Sequence, residues 1–415
     1  MNAVDVVVVG AGPAGTAAAI ELASVGREVL VIDRARFPRD KCCGDGLTAG
    51  ALRHLDELGL RPSAVASWQS VTGCSIRSPS GRVVELPFVS EGLLGAVARR
   101  SDLDAALVDR ARAAGADVLE GHAFEAMRWT ADGVTLRAEG QEPIAARYVV
   151  AADGVWSPVR KAAGLGDPGY RGEWHAFRQY IRAPGELSRR MWVWFEPELL
   201  PGYAWSFPLP GGIANVGFGV RRRPGERTGA LADQWRRLVE LPYVRATLGE
   251  DAVPEAPHKT WPIPTRLPTS AVAAAGGRVL LVGDAARAGD PMTGEGIGQA
   301  LATARMAAHA IDRAGPDQPA TAGRGYTASL RRSMVVDHRL AGALSRVLAS
   351  SAGARGAVRI AGTSAWTRRN FARWLFEDYP RAAVVTPERW AEMLHARPAF
   401  TPGGEPGRQR VGSVG

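Results

Sequence analysis

A β-branched run ending at Val9 leads directly into Gly10-Ala-Gly12-Pro-Ala-Gly15, and this junction constrains the fold more than any other part of the chain. Such a run is expected of a parallel strand buried on both faces. Gly10 permits a tight turn after it. Gly12 lets a pyrophosphate approach the backbone, and Gly15 lets the next helix pack close to the strand. The helix predicted over residues 13–25 aims its N-terminus at the phosphates, where free N–H groups and the macrodipole favour an anion. A second strand over residues 28–32 delivers Asp33 at roughly the spacing, ~20 residues, of a carboxylate that binds a ribose hydroxyl. Pro13, Ala14 and Arg34 complete this first set of cofactor-binding candidates.

A glycine fingerprint by itself fits FAD or NAD equally. Two distant segments favour FAD. Residues 146–152 read as a third strand ending in Asp153-Gly154, and residues 279–282 as a further buried strand ending in Gly283-Asp284. Asp284 is then placed for a ribityl chain. The turn through Pro291, Gly294, Gly296 and Ile297 opens a helix running to about residue 311, and that N-terminus suits a flavin pyrimidine edge, which becomes anionic on reduction. Phe124, on a strand of the same region, is a further cofactor candidate. Taken alone, an Asp-Gly pair such as Asp153-Gly154 is more often an ordinary turn.

The combined pattern resembles the FAD-dependent monooxygenase superfamily with the aromatic hydroxylase fold. Within it, the chain is most similar to the geranylgeranyl reductase family. Four stretches carry the narrower likeness: Lys41-Cys-Cys43-Gly44-Asp45-Gly46, Tyr203-Ala-Trp205-Ser-Phe207-Pro208, the turn 291–297 with Glu295 in it, and Phe376-Glu-Asp-Tyr379-Pro-Arg. Cys42 departs from the family, where a proline is usual. The resemblance implies a discontinuous Rossmann-like FAD domain (residues 1–165 and 271–312) and a mostly antiparallel substrate-binding sheet (166–270). A helical C-terminal region (313–397) would follow, then a tail (398–415) whose Gly/Pro-rich composition predicts disorder. It also implies Gly44 and Arg100 as flavin contacts, and Cys43 near the flavin ring.

Composition agrees with a multi-domain α/β enzyme. The chain has 415 residues, more than one ordinary core accommodates. Its net charge is +9, yet Lys41, Lys161 and Lys259 are its only lysines. Abundant arginine with abundant alanine and glycine fits a GC-rich genome better than a nucleic-acid surface, and no nucleic-acid-binding motif accompanies the charge. A peripheral membrane contact remains open. Cys42, Cys43 and Cys74 do not form a disulfide framework, and no metal site is expected. No apolar run approaches the ~18 residues of a membrane span. With a buried strand at the very start of the chain, a cytoplasmic setting is expected.

The second sheet carries the substrate argument. Trp192 and Trp194 share one strand face; Tyr203, Trp205 and Phe207 share a face of the next strand. If the strands pair with those faces together, the five rings form one wall beside the flavin, with His175 from a neighbouring strand. Such a wall serves equally well as core. As a pocket it would take an elongated apolar substrate. Reduction of a carbon–carbon double bond by hydride needs a proton for the other carbon; Cys43, Asp45 and Tyr203 are the catalytic candidates. Three activities compete: reduction of prenyl or polyene double bonds, monooxygenation in secondary metabolism through a C4a-hydroperoxide, and halogenation. No second glycine fingerprint exists for NAD(P)H, so that donor would visit transiently, or a separate reductase or ferredoxin would supply electrons.

Overall fold

The computed structural model describes residues 4–88, 92–223, 229–386, 390 and 399–400. Two large sheets organise them. In the first, the order runs Ala273–Ala274, Val279–Leu281, Ile144–Ala151, Val4–Val9, Val29–Asp33, Asp117–Glu120. The four pairings from Val279–Leu281 to Asp117–Glu120 are parallel. The hairpin strands Phe124–Trp129 and Val134–Ala138 add to the antiparallel side of Ile144–Ala151. The central strands are buried in one core with the helices and with Met127, Val134 and Leu136 of the hairpin, and their sequence is apolar throughout for that reason. The helices Pro13–Ser24 and Ile297–Ala314 pack together on one side. The fit is close because the positions facing across it are small: a Cβ on Gly283 would lie 3.1 Å from that of Ala14 and 3.3 Å from that of Ala300.

The second sheet is mostly antiparallel. Its order is Val253–Pro254, Trp174–Arg182, Ile213–Arg221, Tyr203–Leu209, Met191–Trp194, Gly73–Arg77, Val83–Pro87, with Lys259–Ile263 also pairing with Trp174–Arg182. Two of its strands, Gly73–Arg77 and Val83–Pro87, come from the first 165 residues, and Gly73–Arg77 pairs in parallel with Met191–Trp194. The two sheets therefore interlock through the chain itself. A small third sheet, Gly46–Thr48, Gly95–Val97 and Gln69–Ser70, carries the segment after Cys43.

One face of the second sheet packs on the helices Gly229–Val239 and Pro242–Leu248 through Phe177, Trp194, Phe218 and Trp235. Its other face turns toward the first sheet and toward the C-terminal helices Ser351–Ala361 and Ala365–Leu375, while Pro319–Arg332 packs on Ile297–Ala314 at the edge of the first sheet and Met334–Leu348 follows it. Most of the stretch expected to be a disordered tail lies outside the described residues. Its first described part is ordered: Leu93 N–H donates to Ala399 C=O, and the Phe400 ring meets Trp68 edge-on at 5.7 Å. No helix among the described residues is long and apolar enough to cross a membrane.

Candidate active site

A single cavity of about 1060 Å³ lies between the two sheets. The carboxyl ends of the parallel strands form its floor: Gly10, Gly12, Pro13, Ala14, Asp33, Arg34, Asp153 and Asp284 all line it, joined by Phe124 at the start of the hairpin. Gly44, Arg100, Gly294, Gly296 and Ile297 line it as well. Two helix N-termini open onto this space: Gly12 precedes the first, which has no side-chain cap, and Gly296 precedes Ile297–Ala314, where Glu295 Oε1 accepts from the Gly298 N–H. The first end thus presents its N–H groups unsatisfied by side chains, while at the second Glu295 takes up that of Gly298. Gly10 has φ of +101°, and a Cβ there would lie 2.5 Å from the Ala152 carbonyl oxygen, so only glycine makes this turn. The Asp33 carboxylate accepts from the N–H of Ala11 (2.7 Å) and of Ala35 (2.8 Å), which holds it at the strand end.

Three cofactor candidates stand behind the wall instead of in it. Gly15, Gly283 and Pro291 do not line the cavity. A Cβ on Gly15 would sit 1.7 Å from the Gly10 carbonyl oxygen, so Gly15 is a packing glycine. Gly283 occupies the crossing of the two long helices and donates its N–H to Thr303 Oγ1. The Asp153 carboxylate, though at the cavity, is spent on its own segment: it accepts from Ser157 Oγ (2.6 Å) and Val159 N–H (2.9 Å).

The roof is the inner face of the second sheet. Tyr203, Trp205 and Phe207 line the cavity together. Trp205 lies over Gly217, where a Cβ would come within 2.6 Å of the indole. Trp192 and Trp194 do not belong to this wall. The antiparallel register pairs Trp205 with Val193, Ser206 with Trp192 and Ala204 with Trp194. Directly paired residues point to the same side of a sheet. Val193, with Met191 and Phe195, therefore faces the cavity, while Trp194 is 0% exposed on the opposite, core side. His175 is displaced for the same reason: its neighbours Trp174 and Ala176 line the cavity, so it points the other way.

Where floor and roof meet, the Lys41–Asp45 loop makes a buried polar cluster. Asp45 adopts φ of +63° and is fully buried. Its Oδ2 accepts from Tyr180 Oη at 2.6 Å and Asn215 Nδ2 at 2.8 Å. Asn215 also donates to the Cys43 carbonyl and accepts from Trp205 Nε1 at 3.0 Å, tying the aromatic wall to the loop. Asp45 Oδ1 is buried without a partner among the described residues. Burial pushes the Asp45 carboxyl up to about 6, against the opposing pull of Tyr180 and Arg178. Burial also raises the Cys43 thiol, opposed by Arg100, so it stays protonated at neutral pH. Cys43 Sγ accepts from the Asp45 N–H at 3.3 Å. Lys41 lies 3.5 Å from the Trp261 ring centroid, and burial lowers its ammonium to about 8 against the attraction of Asp284.

A second cluster braces the Pro291–Ile297 turn. Arg381 pairs with Asp290, which is buried with it, and at 3.2 Å with the partly buried Glu377. Glu377 also accepts from Thr48 Oγ1 and Gln299 Nε2. Burial and the neighbouring Glu377 push Glu295 up to about 8. Tyr203 donates its hydroxyl proton to the Thr293 carbonyl, joining the roof to this turn. The Phe376–Arg381 motif thus acts as a structural clamp on a cavity wall. Sequence reasoning missed Tyr180, Asn215 and Glu377. Asn215 left a signal, since a lone amide in the apolar strand Ile213–Arg221 occupies a position that only a buried partner explains.

Comparison with known proteins agrees with this geometry. Residues 3–313 match the family model described as FAD binding domain. The menaquinone reductase of Mycobacterium tuberculosis is 35% identical over 81% of this chain and 84% of its own length. Digeranylgeranylglycerophospholipid reductase 2 of Methanopyrus kandleri is 34% identical over 73% of this chain and 75% of its own. The chain belongs to the geranylgeranyl reductase family of FAD-dependent oxidoreductases. A geranylgeranyl bacteriochlorophyll reductase-like protein from Thermoplasma acidophilum has the same fold, with a TM-score of 0.76 at 24% identity over 94% of this chain and 99% of that one. The cavity fits the FAD of the family on its own terms. It offers an uncapped helix end behind Gly12 for anionic groups and a turn that only glycine makes at Gly10, and it has the acids Asp33 and Asp284 on one floor.

Proposed function

We propose that this geranylgeranyl reductase family member saturates carbon–carbon double bonds in a long isoprenoid, such as the side chain of a menaquinone or a prenylated lipid. One observation carries the reading. The same cavity that Gly10, Gly12 and Trp205 line is also lined by Val84, Leu86, Leu344, Leu348, Val358 and Leu375. A long apolar chain fits such a lining, and each buried methylene contributes only about 0.8 kcal/mol, so chain length is weakly discriminated. Bound FAD, once reduced, supplies a hydride.

The chain's own residues supply the rest. In this reading Gly10, Gly12, Pro13, Ala14, Asp33, Arg34, Arg100, Asp284 and the Gly294–Ile297 turn hold the cofactor. Trp205, Tyr203 and Phe207 orient the substrate. The Cys43 thiol gives its proton to the carbon that does not receive hydride. Arg100 stabilises the resulting thiolate, and Asp45, kept protonatable near neutral pH by burial, restores the proton. Tyr203 is the weaker proton donor, because its hydroxyl is engaged by Thr293. Electrons come from NAD(P)H or a separate protein donor. Substrates of this kind reside in lipid, so the enzyme works as a peripheral membrane protein.

The test is anaerobic. Photoreduced holoprotein is mixed with menaquinone or a geranylgeranyl lipid, and flavin absorbance and product mass are followed. Flavin reoxidation with a two-hydrogen mass gain that survives exposure to air is expected. A gain that reverses in air would mean reduction of the quinone ring instead. Reoxidation only on admission of oxygen, with an oxygen atom gained, would establish a monooxygenase.

A further inference from the structure

The cavity reaches the surface at the C-terminal helices. Val347 and Ile360 line it, yet are 58% and 67% exposed, so they form its lip. They close the helices Met334–Leu348 and Ser351–Ala361. Trp366, at the start of Ala365–Leu375, is 66% exposed. Large apolar side chains exposed at a cavity lip and on the helix that follows it mark an interaction site.

The charge beside them is one-sided. Between His338 and Phe376 the sequence holds seven arginines and no acidic residue, against +9 for the whole chain. Arg346 and Arg359 immediately precede Val347 and Ile360, and both are exposed, as are Arg339, Arg355 and Arg369. None of these five has an ion pair among the described residues. By contrast, Arg373, nearer the buried clamp, pairs with Asp378. Exposed aliphatic and indole groups interleaved with unpaired cations match the interface of an anionic bilayer, where apolar groups enter the acyl boundary and arginines meet the headgroups.

We infer that the surface formed by Val347, Ile360 and Trp366 with Arg346, Arg355 and Arg359 docks on an anionic lipid membrane, with the cavity mouth against the acyl chains. The continuity of lip and cavity decides for lipid over an acidic protein: a long isoprenoid would pass from bilayer to site without crossing water. This inference rests on the apolar substrate reading above, and gives it an entry route.

Holoprotein is sedimented with vesicles of phosphatidylcholine alone or mixed with phosphatidylglycerol. Binding to the mixed vesicles only, weakened by salt, is expected. The variant Arg346→Glu/Arg355→Glu/Arg359→Glu, its fold checked by flavin retention, should lose on the order of a hundredfold in vesicle affinity. It should still turn over a short-chain, detergent-dispersed substrate at the parent rate while failing on vesicle-embedded substrate. Wild-type protein that ignores anionic vesicles, or a variant that binds them equally, would overturn the proposal. So would a dimer in solution that Ile360→Glu dissociates, because the patch would then be a self-contact. Vesicle binding as expected without turnover of either substrate would uphold docking and refute the substrate reading.

Discussion

At the scale of single residues, the Cys43–Asp45 loop concentrates the chemistry. A thiol that burial keeps protonated can donate only if its thiolate has a counter-charge, and Arg100 is that charge. Cys43→Ser should lower turnover on the order of a hundredfold with little change in KM, because the serine hydroxyl is a far weaker acid; steady-state kinetics check this. Asp45 makes a different prediction. Its folded-state carboxyl is raised from 3.8 to about 6, so the folded protein holds that proton more tightly than the unfolded chain. Stability from this group is fully present below the unfolded value and is lost as pH rises through about 6. The shift corresponds to about 3 kcal/mol. Asp45→Asn should remove that slope, so urea midpoints at about pH 4.5 and pH 7 should differ less in the variant than in the parent. Asp153 is raised similarly and persists in both proteins, so the difference between them isolates Asp45.

At the scale of elements, the strand Met191–Trp194 divides structure from function by alternation. Trp194 belongs to the core with Phe177 and Phe218, while Val193 on the same strand faces the cavity. Trp194→Ala should cost about 3–5 kcal/mol of stability and leave KM unchanged. Trp205→Ala should do the reverse: a raised KM with flavin still bound and reducible, although Asn215 would lose its indole donor. Denaturant titration beside substrate kinetics separates the two, and an increase in KM from Trp194→Ala would contradict the register. The clamp around Arg381 operates at this scale too, since it holds the turn on which the Ile297–Ala314 helix begins.

At the scale of the whole molecule, the cofactor should behave as a structural member. FAD would touch the first sheet, both helix N-termini and the Lys41–Asp45 loop, and so couple the two halves. A ligand that binds only the folded state raises stability by about 1.4 kcal/mol for each tenfold excess over its Kd. Added FAD should therefore raise Tm progressively. Acid precipitation should release a yellow chromophore, since no His or Cys stands in the usual context of covalent flavin attachment. Asp284→Ala should shed most of the flavin during gel filtration. Full retention would mean that this acid, buried beside Lys41, serves only the protein.

The amino-acid sequence by itself determined the FAD family and the parallel core. Glycine turns at strand ends, β-branched runs and terminal acids are local, and their geometry follows from backbone sterics within a few residues. It also determined that Tyr203, Trp205 and Phe207 share a face, because alternation is a property of one strand. That Trp192 and Trp194 lie on the opposite face from them was decided only by tertiary structure. A one-residue change of register moves every side chain to the other side, and nothing within either strand specifies it. The same holds for Asn215, Tyr180 and Glu377, whose partners lie far away in sequence. Burial of those polar groups, and the raised acids that result, exists only once distant segments exclude water together.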